Sequence, residues 1–326
     1  MKTQLSLAWM MIAACLAAAH SSPAADNAWM RTTPIPTARF GACACVVDGK
    51  IYVIGGGGPV KRGPYLSTVE MYDPATGNWT KKANMPTARN GHAACMVNGK
   101  IYVLGGEPSA KASLDIVEVY DPATDTWKTK ASMPNKRTFH CGCGIGGKIY
   151  VFGGVTAESE AVRNASGLDV YDAATDTWKT QPLITRTRTA AGACVMGGKI
   201  FVVGGADRSR LEDSALATVE QYDPVKGTWT RKANLPTPRV FLAASATNDK
   251  IYAAGGGVFG GPTFATVEEY DPATDTWTAR APLHTPRQLL ATATVGNRLY
   301  AIGGTVDWAN WSGSSAVEEY SVGLGD

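Results

Sequence analysis

Six arginines, Arg39, Arg89, Arg137, Arg188, Arg239 and Arg287, are each followed 16 residues later by the first glycine of a Gly-Gly pair, at Gly55, Gly105, Gly153, Gly204, Gly255 and Gly303. A tyrosine follows each pair (Tyr72, Tyr120, Tyr171, Tyr222, Tyr270, Tyr320). A tryptophan stands seven residues beyond the first five of these (Trp79, Trp127, Trp178, Trp229, Trp277), and each tryptophan precedes the next arginine by ten. A period of about 50 residues restricts the chain to architectures that stack one supersecondary unit many times, propellers or solenoids.

The second copy shows what the unit is. Small and apolar residues run from Gly91 to Val97, and Asn98-Gly99 supplies the positive φ angles of a two-residue hairpin turn. Lys100 to Leu104 is a β-rich run closed by Gly105-Gly106. Ile116 to Tyr120 alternates with period two, Asp121 to Asp125 makes a turn, and Thr126-Trp127 opens a fourth strand. Each copy is thus expected to be a four-stranded meander, which alone leaves two apolar faces and two edges uncovered. Radial packing covers the faces.

The ends of the repeat array argue for a closed ring. The sixth copy has no tryptophan after Tyr320, whereas Trp29 stands ten residues before Arg39, the offset kept by every other tryptophan. The N-terminal strand is therefore expected to complete the last blade of an all-β, six-bladed propeller of four-stranded antiparallel sheets spanning 26–326. The Gly-Gly pair, the tyrosine and the spaced tryptophan resemble the kelch repeat over residues 29–320. The resemblance implies a propeller that is most often a binding platform, with enzymes among a minority of relatives.

Residues 1–25 carry Lys2, an apolar stretch from Leu5 to Ala19 and small residues at Ala17 and Ala19, the pattern of a cleaved signal peptide. A second reading takes Ile12-Ala13-Ala14-Cys15 as a lipobox with a lipid anchor on Cys15. No later segment is apolar enough to span a bilayer, so no transmembrane segment is expected, and the chain is expected to be secreted or periplasmic and monomeric. Lysine and arginine are scattered and the formal net charge is +3, which leaves no footprint for nucleic acid.

A residue present in all six copies is explained by the needs of every blade, so function is sought where copies differ. The arginines and the acids two residues before each tyrosine (Glu70, Glu118, Asp169, Glu220, Glu268, Glu318) read as framework. The distance from Gly to Tyr runs 17, 15, 18, 18, 15 and 17, while the other spacings are constant, so all length variation lies in one loop per blade, between the second and third strands. These loops share one face with the connections from each tryptophan strand to the next arginine, and loops on a rigid scaffold are where binding residues gather. Tyr65 and Arg62 in the first loop, Arg208 and Arg210 in the fourth, Phe259 and Phe264 in the fifth, and Trp308 and Trp311 in the sixth are the candidate binding residues. The aromatics among them offer flat apolar area to a protein or glycan ligand, or fold inward over their own blades.

Enzymatic readings fare less well. Kelch propellers resembling galactose oxidase need two histidines, two tyrosines and a cross-linked cysteine, whereas His92 and His140 stand three residues after a framework arginine, where other copies have alanine or leucine. A mutarotase or isomerase would draw on Glu158, Glu212, Arg208 and Arg210, although nothing in their spacing requires it. No catalytic set, metal site or cofactor is expected. Cys43, Cys45, Cys95, Cys141, Cys143 and Cys194 fall at repeat positions shared with small residues, which favours packed thiols, with disulfides between blades as the alternative.

Overall fold

The first blade follows from its side-chain alternation: Cys43–Val47, Lys50–Ile54, Val69–Asp73 and Asn78–Lys82 pair in order as an antiparallel sheet. The second strand is the most deeply buried, with Ile51, Val53 and Ile54 at zero exposure, because both of its faces meet neighbouring blades. The computed structural model describes residues 27–60, 64–109, 112–158, 161–165, 167–181, 187–207, 215–307 and 311–323, with 157, 158 and 161–164 described by backbone alone. The expected leader lies outside them. Among the described residues there are six such four-stranded sheets and no helix, plus a two-stranded hairpin, Val155–Glu158 with Ala161–Asn164, in the third variable loop.

The ring closes where the repeat array is divided. Trp29–Arg31 pairs with Val317–Ser321, Trp29 opposite Tyr320, and completes the sheet formed with Ala291–Val295 and Arg298–Ile302. Core clusters then run from blade to blade: Ile51, Val53 and Tyr72 of the first pack with Tyr300, Ile302 and Val317 of the sixth. Burial of aliphatic and aromatic side chains of this size contributes about 1.5–3 kcal/mol each.

The constant residues join one blade to the next. The second glycine of every pair donates its N–H to the carbonyl of the following blade's arginine, from Gly56 to Arg89 at 2.9 Å through to Gly304 to Arg39 at 2.9 Å. The first glycine sits at φ +58 to +66°, and a Cβ there would lie 2.2–2.9 Å from that same carbonyl oxygen. A side chain at this position would collide with backbone, which is why all six copies keep glycine. Each arginine turns back into its own blade: Arg89 donates to Gly105 O at 2.9 Å and pairs with Glu118 at 2.5 Å, and Arg137 pairs with Asp169 at 2.6 Å. Arg39–Glu70, Arg188–Glu220, Arg239–Glu268 and Arg287–Glu318 repeat the arrangement.

The outer strands latch less uniformly. Trp127 Nε1 donates to Ala83 O at 2.9 Å and Trp178 Nε1 to Ala131 O at 2.8 Å, each reaching the preceding blade. Two residues before the tryptophan, Asp125, Asp176 and Asp275 hold left-handed φ angles of 53–55°. Each accepts both its own blade's tyrosine hydroxyl and an N–H of the preceding blade, Ala83, Ala131 and Ala233 respectively. Blades one and four, diametrically opposed, have Gly77 and Gly227 in that position and lack the carboxylate.

Candidate binding site at the loop face

The residue two after each framework arginine reaches the propeller axis on the face that carries the variable loops. Gly41, Gly91, Phe139, Ala190, Phe241 and Leu289 all have φ between 52 and 61°. Their peptides form a closed cycle: Gly41 N–H donates to Leu289 O, Leu289 to Phe241, Phe241 to Ala190, Ala190 to Phe139, Phe139 to Gly91 and Gly91 to Gly41, at 2.7–3.2 Å. Left-handed backbone costs about 1–2 kcal/mol at a residue with a side chain, and four of the six have one. The cycle holds them there, and such over-determined strain gathers at functional positions. Beneath it runs an axial cavity of about 190 Å³ lined by small residues such as Ala42, Ala94, Gly142 and Ala244.

Above the ring the copies diverge. Phe139, Phe241, Phe259, Leu289, Trp311 and Phe40, from blades three, five, six and one, belong to one apolar cluster, to which blade four adds Ala190 and Ala206. Phe241 stacks edge-on against Phe139 and Phe259, each at 5.4 Å, and Trp311 against Phe40 at 5.5 Å. Blades one and two contribute no side chain to the ring and instead meet at a polar corner. Tyr65 donates its hydroxyl to Glu107 Oε1 at 2.9 Å, and Asn90 Nδ2 donates to the same oxygen at 3.4 Å. Glu107 and Asn90 are 6% and 1% exposed. Burial pushes the Glu107 carboxyl up to about 7, although both donors pull it the other way.

Of the eight residues expected to bind, the structure brings Phe259 and Trp311 into one cluster, with both half-buried. Tyr65 belongs to the polar corner, and Phe264 is half-buried in its loop, where its N–H donates to Gly256 O at 2.7 Å. Arg62, Arg208, Arg210 and Trp308 lie outside the described residues, as does Glu212, and Glu158 is described by backbone alone. Sequence reasoning missed Asn90 and Glu107. Comparison across copies finds them once it extends to the residue after each arginine and the residue after each glycine pair. Those two positions face each other as a bridge in each blade, and only the second blade fills them with an amide and an acid.

The two imidazoles lining the axial cavity, His92 and His140, are neutral. Burial, and then the Arg89 or Arg137 charge, pulls the His92 and His140 imidazoles down to about 3. Among the described residues no group of three or more histidine, cysteine, aspartate or glutamate side chains is arranged to hold a metal ion. Cys43, Cys45, Cys95, Cys141, Cys143 and Cys194 are free thiols, so the alternative of disulfides between blades is not realised.

Comparison with known proteins gives one family. The model described as the KLHDC2/KLHL20/DRC7 Kelch-repeats domain matches residues 41–256 and 128–304, which together cover most of the chain. Kelch-like ECH-associated protein 1A of Danio rerio is 29% identical over 89 residues, 27% of this chain and 15% of that protein. Kelch-like protein 13 of Mus musculus is 33% identical over 90 residues, 27% and 14% of the two chains. Kelch repeat protein C2 of vaccinia virus (strain Western Reserve) is 35% identical over 96 residues, 29% and 18%. The matched stretches thus span less than a fifth of these relatives' lengths.

Proposed function

The chain belongs to the kelch-repeat family, and from that premise we propose that it is a binding module that holds a protein ligand on its loop face, outside the cytoplasm. The observation that carries this reading is the departure from symmetry at the mouth. The constant positions of each blade build the same framework six times, yet the side chains standing over the axial ring change from glycine to phenylalanine and are joined by the Tyr65, Asn90 and Glu107 corner where blades one and two meet. A scaffold needs no such difference; a ligand does. Phe259 and Trp311 pack edge-to-face on Phe241 and Phe40, which suits an apolar protein segment better than the open flat stacking platform that a sugar ring uses. One relative is named for its association with another protein, which points the same way. Export is supported by the pattern of residues 1–25.

Site-specific photo-crosslinking tests the proposal. A benzophenone amino acid replaces Phe264 on the loop face or Val225, which is 95% exposed on the turn between the third and fourth strands at the opposite face. Covalent adducts with a partner are expected from position 264 and not from 225; adducts from 225 alone would place the binding surface on the wrong face. Fusion of residues 1–25 to a reporter active only after export tests the location, and a reporter that stays inactive would overturn that part.

A further inference from the structure

We infer that the corner formed by Tyr65, Asn90 and Glu107 is a receptor for a basic side chain, a lysine or arginine of the protein ligand, set beside the apolar cluster that takes its neighbours. The inference rests on the loop-face reading above and names what that face recognises.

The framework supplies the internal control. Each of the six repeat carboxylates has an arginine of its own blade against it, and Glu269 and Glu319 are paired with Arg280 and Arg298. Glu107 is as deeply buried as these, yet among the described residues its partners are the Tyr65 hydroxyl and the Asn90 amide, and no described cation stands against it. The equivalent positions in the other blades are Gly57, Val155, Ala206, Gly257 and Thr305, so the blade architecture does not call for an acid here. Burying a carboxylate without a counter-charge is costly, and a fold that needed nothing from the position would have kept it small and neutral.

The hydrogen-bonding inventory specifies the ligand. Tyr65 has spent its one hydrogen on Glu107, which leaves its oxygen as an acceptor. Asn90 Oδ1 is buried, has no donor, and lies where a Cβ on Gly41 would be only 2.0 Å away, against the axial ring. The corner therefore holds a carboxylate, a phenolic oxygen and an amide oxygen, with acceptor capacity in excess of donors. The complementary group is one with donors and no acceptors, an ammonium or a guanidinium. The corner is continuous with the apolar cluster on both sides: Tyr65 bridges to Gly57, which bridges to Phe40, and Gly91 abuts the Phe139 ring. A basic residue flanked by apolar ones fits this surface; a free amine would use only the corner.

The test is an array of immobilised random hexapeptides with the third residue fixed as arginine, lysine, citrulline or glutamate, probed with the folded chain at pH 8 and pH 6. Citrulline keeps the shape of arginine without its charge. Retention on the arginine and lysine sets is expected to exceed that on citrulline by about tenfold at pH 8. The preference should shrink at pH 6, where a carboxyl titrating near 7 is mostly protonated. Glu107→Gln, which keeps the volume and the oxygen that accepts from Tyr65, is expected to abolish the preference, and Tyr65→Phe to reduce it severalfold. Equal retention of arginine and citrulline peptides, or a preference that survives Glu107→Gln, would overturn the inference. If peptides are retained without regard to charge and Phe259→Ala or Trp311→Ala releases them, the corner loses its assigned ligand and the binding-module reading stands. If the loop-face crosslinking fails as well, both go.

Discussion

The seam between the third and fourth blades should be repairable by two substitutions that do little singly. In the latched seams one aspartate oxygen accepts two hydrogen bonds: Asp176 takes the Tyr171 hydroxyl at 2.5 Å and the Ala131 N–H at 3.0 Å. In the fourth blade Gly227 stands in place of the aspartate, and the residue that in other copies supplies the N–H is Pro182, which has none. A carboxylate at 227 alone would take over the Tyr222 hydroxyl, which now makes a long hydrogen bond of 3.4 Å to Gln181 Oε1, a gain of up to about 1 kcal/mol for a charged acceptor, and pay about 1 kcal/mol for a side chain at the φ of 66° that Gly227 holds. Gly227→Asp should therefore leave stability unchanged. Pro182→Ala alone offers an N–H with nothing to receive it. Together they complete the second hydrogen bond, so the double-mutant cycle should show a coupling of about 1 kcal/mol, read by urea denaturation and as a rise of about 2 °C in the melting temperature. The reverse change, Asp125→Gly, should cost a similar amount. A coupling within about 0.5 kcal/mol of zero would refute the pairing of carboxylate and N–H as what latches a seam.

Three further outcomes are expected. Arg89→Ala leaves Glu118 buried at 3% side-chain exposure without its counter-charge and should cost about 3–5 kcal/mol in chemical denaturation, with much of the loss recovered by Arg89→Met combined with Glu118→Leu; equal losses in both variants would show that the charge pair is not the reason. Because burial raises the Glu107 carboxyl from its usual 4.5 to about 7, the folded chain holds a proton that the unfolded chain has lost across that interval, so this group's contribution to stability declines as pH rises from about 4.5 to about 7. Glu107→Gln should remove that decline and gain up to about 3 kcal/mol at pH 8, and melting curves that shift equally at pH 4 and pH 8 would argue against a buried unpaired carboxylate. Burial also pushes the Cys43, Cys141 and Cys194 thiols up to about 12, so Ellman's reagent should react with them only after denaturant is added; rapid labelling of native protein would contradict the packing described.

Blade number, strand order and the division of the last blade were all legible in the sequence, because glycine against backbone carbonyl, arginine against acid and tryptophan against the preceding blade recur at fixed spacing. The site was legible only in part. Phe259 and Trp311 were found as aromatics in variable loops, but their packing on Phe241 and Phe40 depends on residues one and two places past the arginines, which belong to a constant-length stretch and so escape a search based on loop length. Glu107 escaped for the same reason: it follows a glycine pair at constant distance from Arg89, and what marks it is its burial with no described cation against it. Local spacing reports what every blade repeats, whereas a site made by two different blades is a property of the closed ring.

The cycle of six peptide hydrogen bonds at the axis has a consequence for how such a surface changes over time. Its bonds use only main-chain atoms, so exchanging Phe139, Ala190, Phe241 or Leu289 for another residue leaves every one of them available. What a ligand touches and what keeps the six sheets converged are therefore governed by separate atoms, and selection can rewrite specificity at the centre of the molecule without renegotiating its architecture.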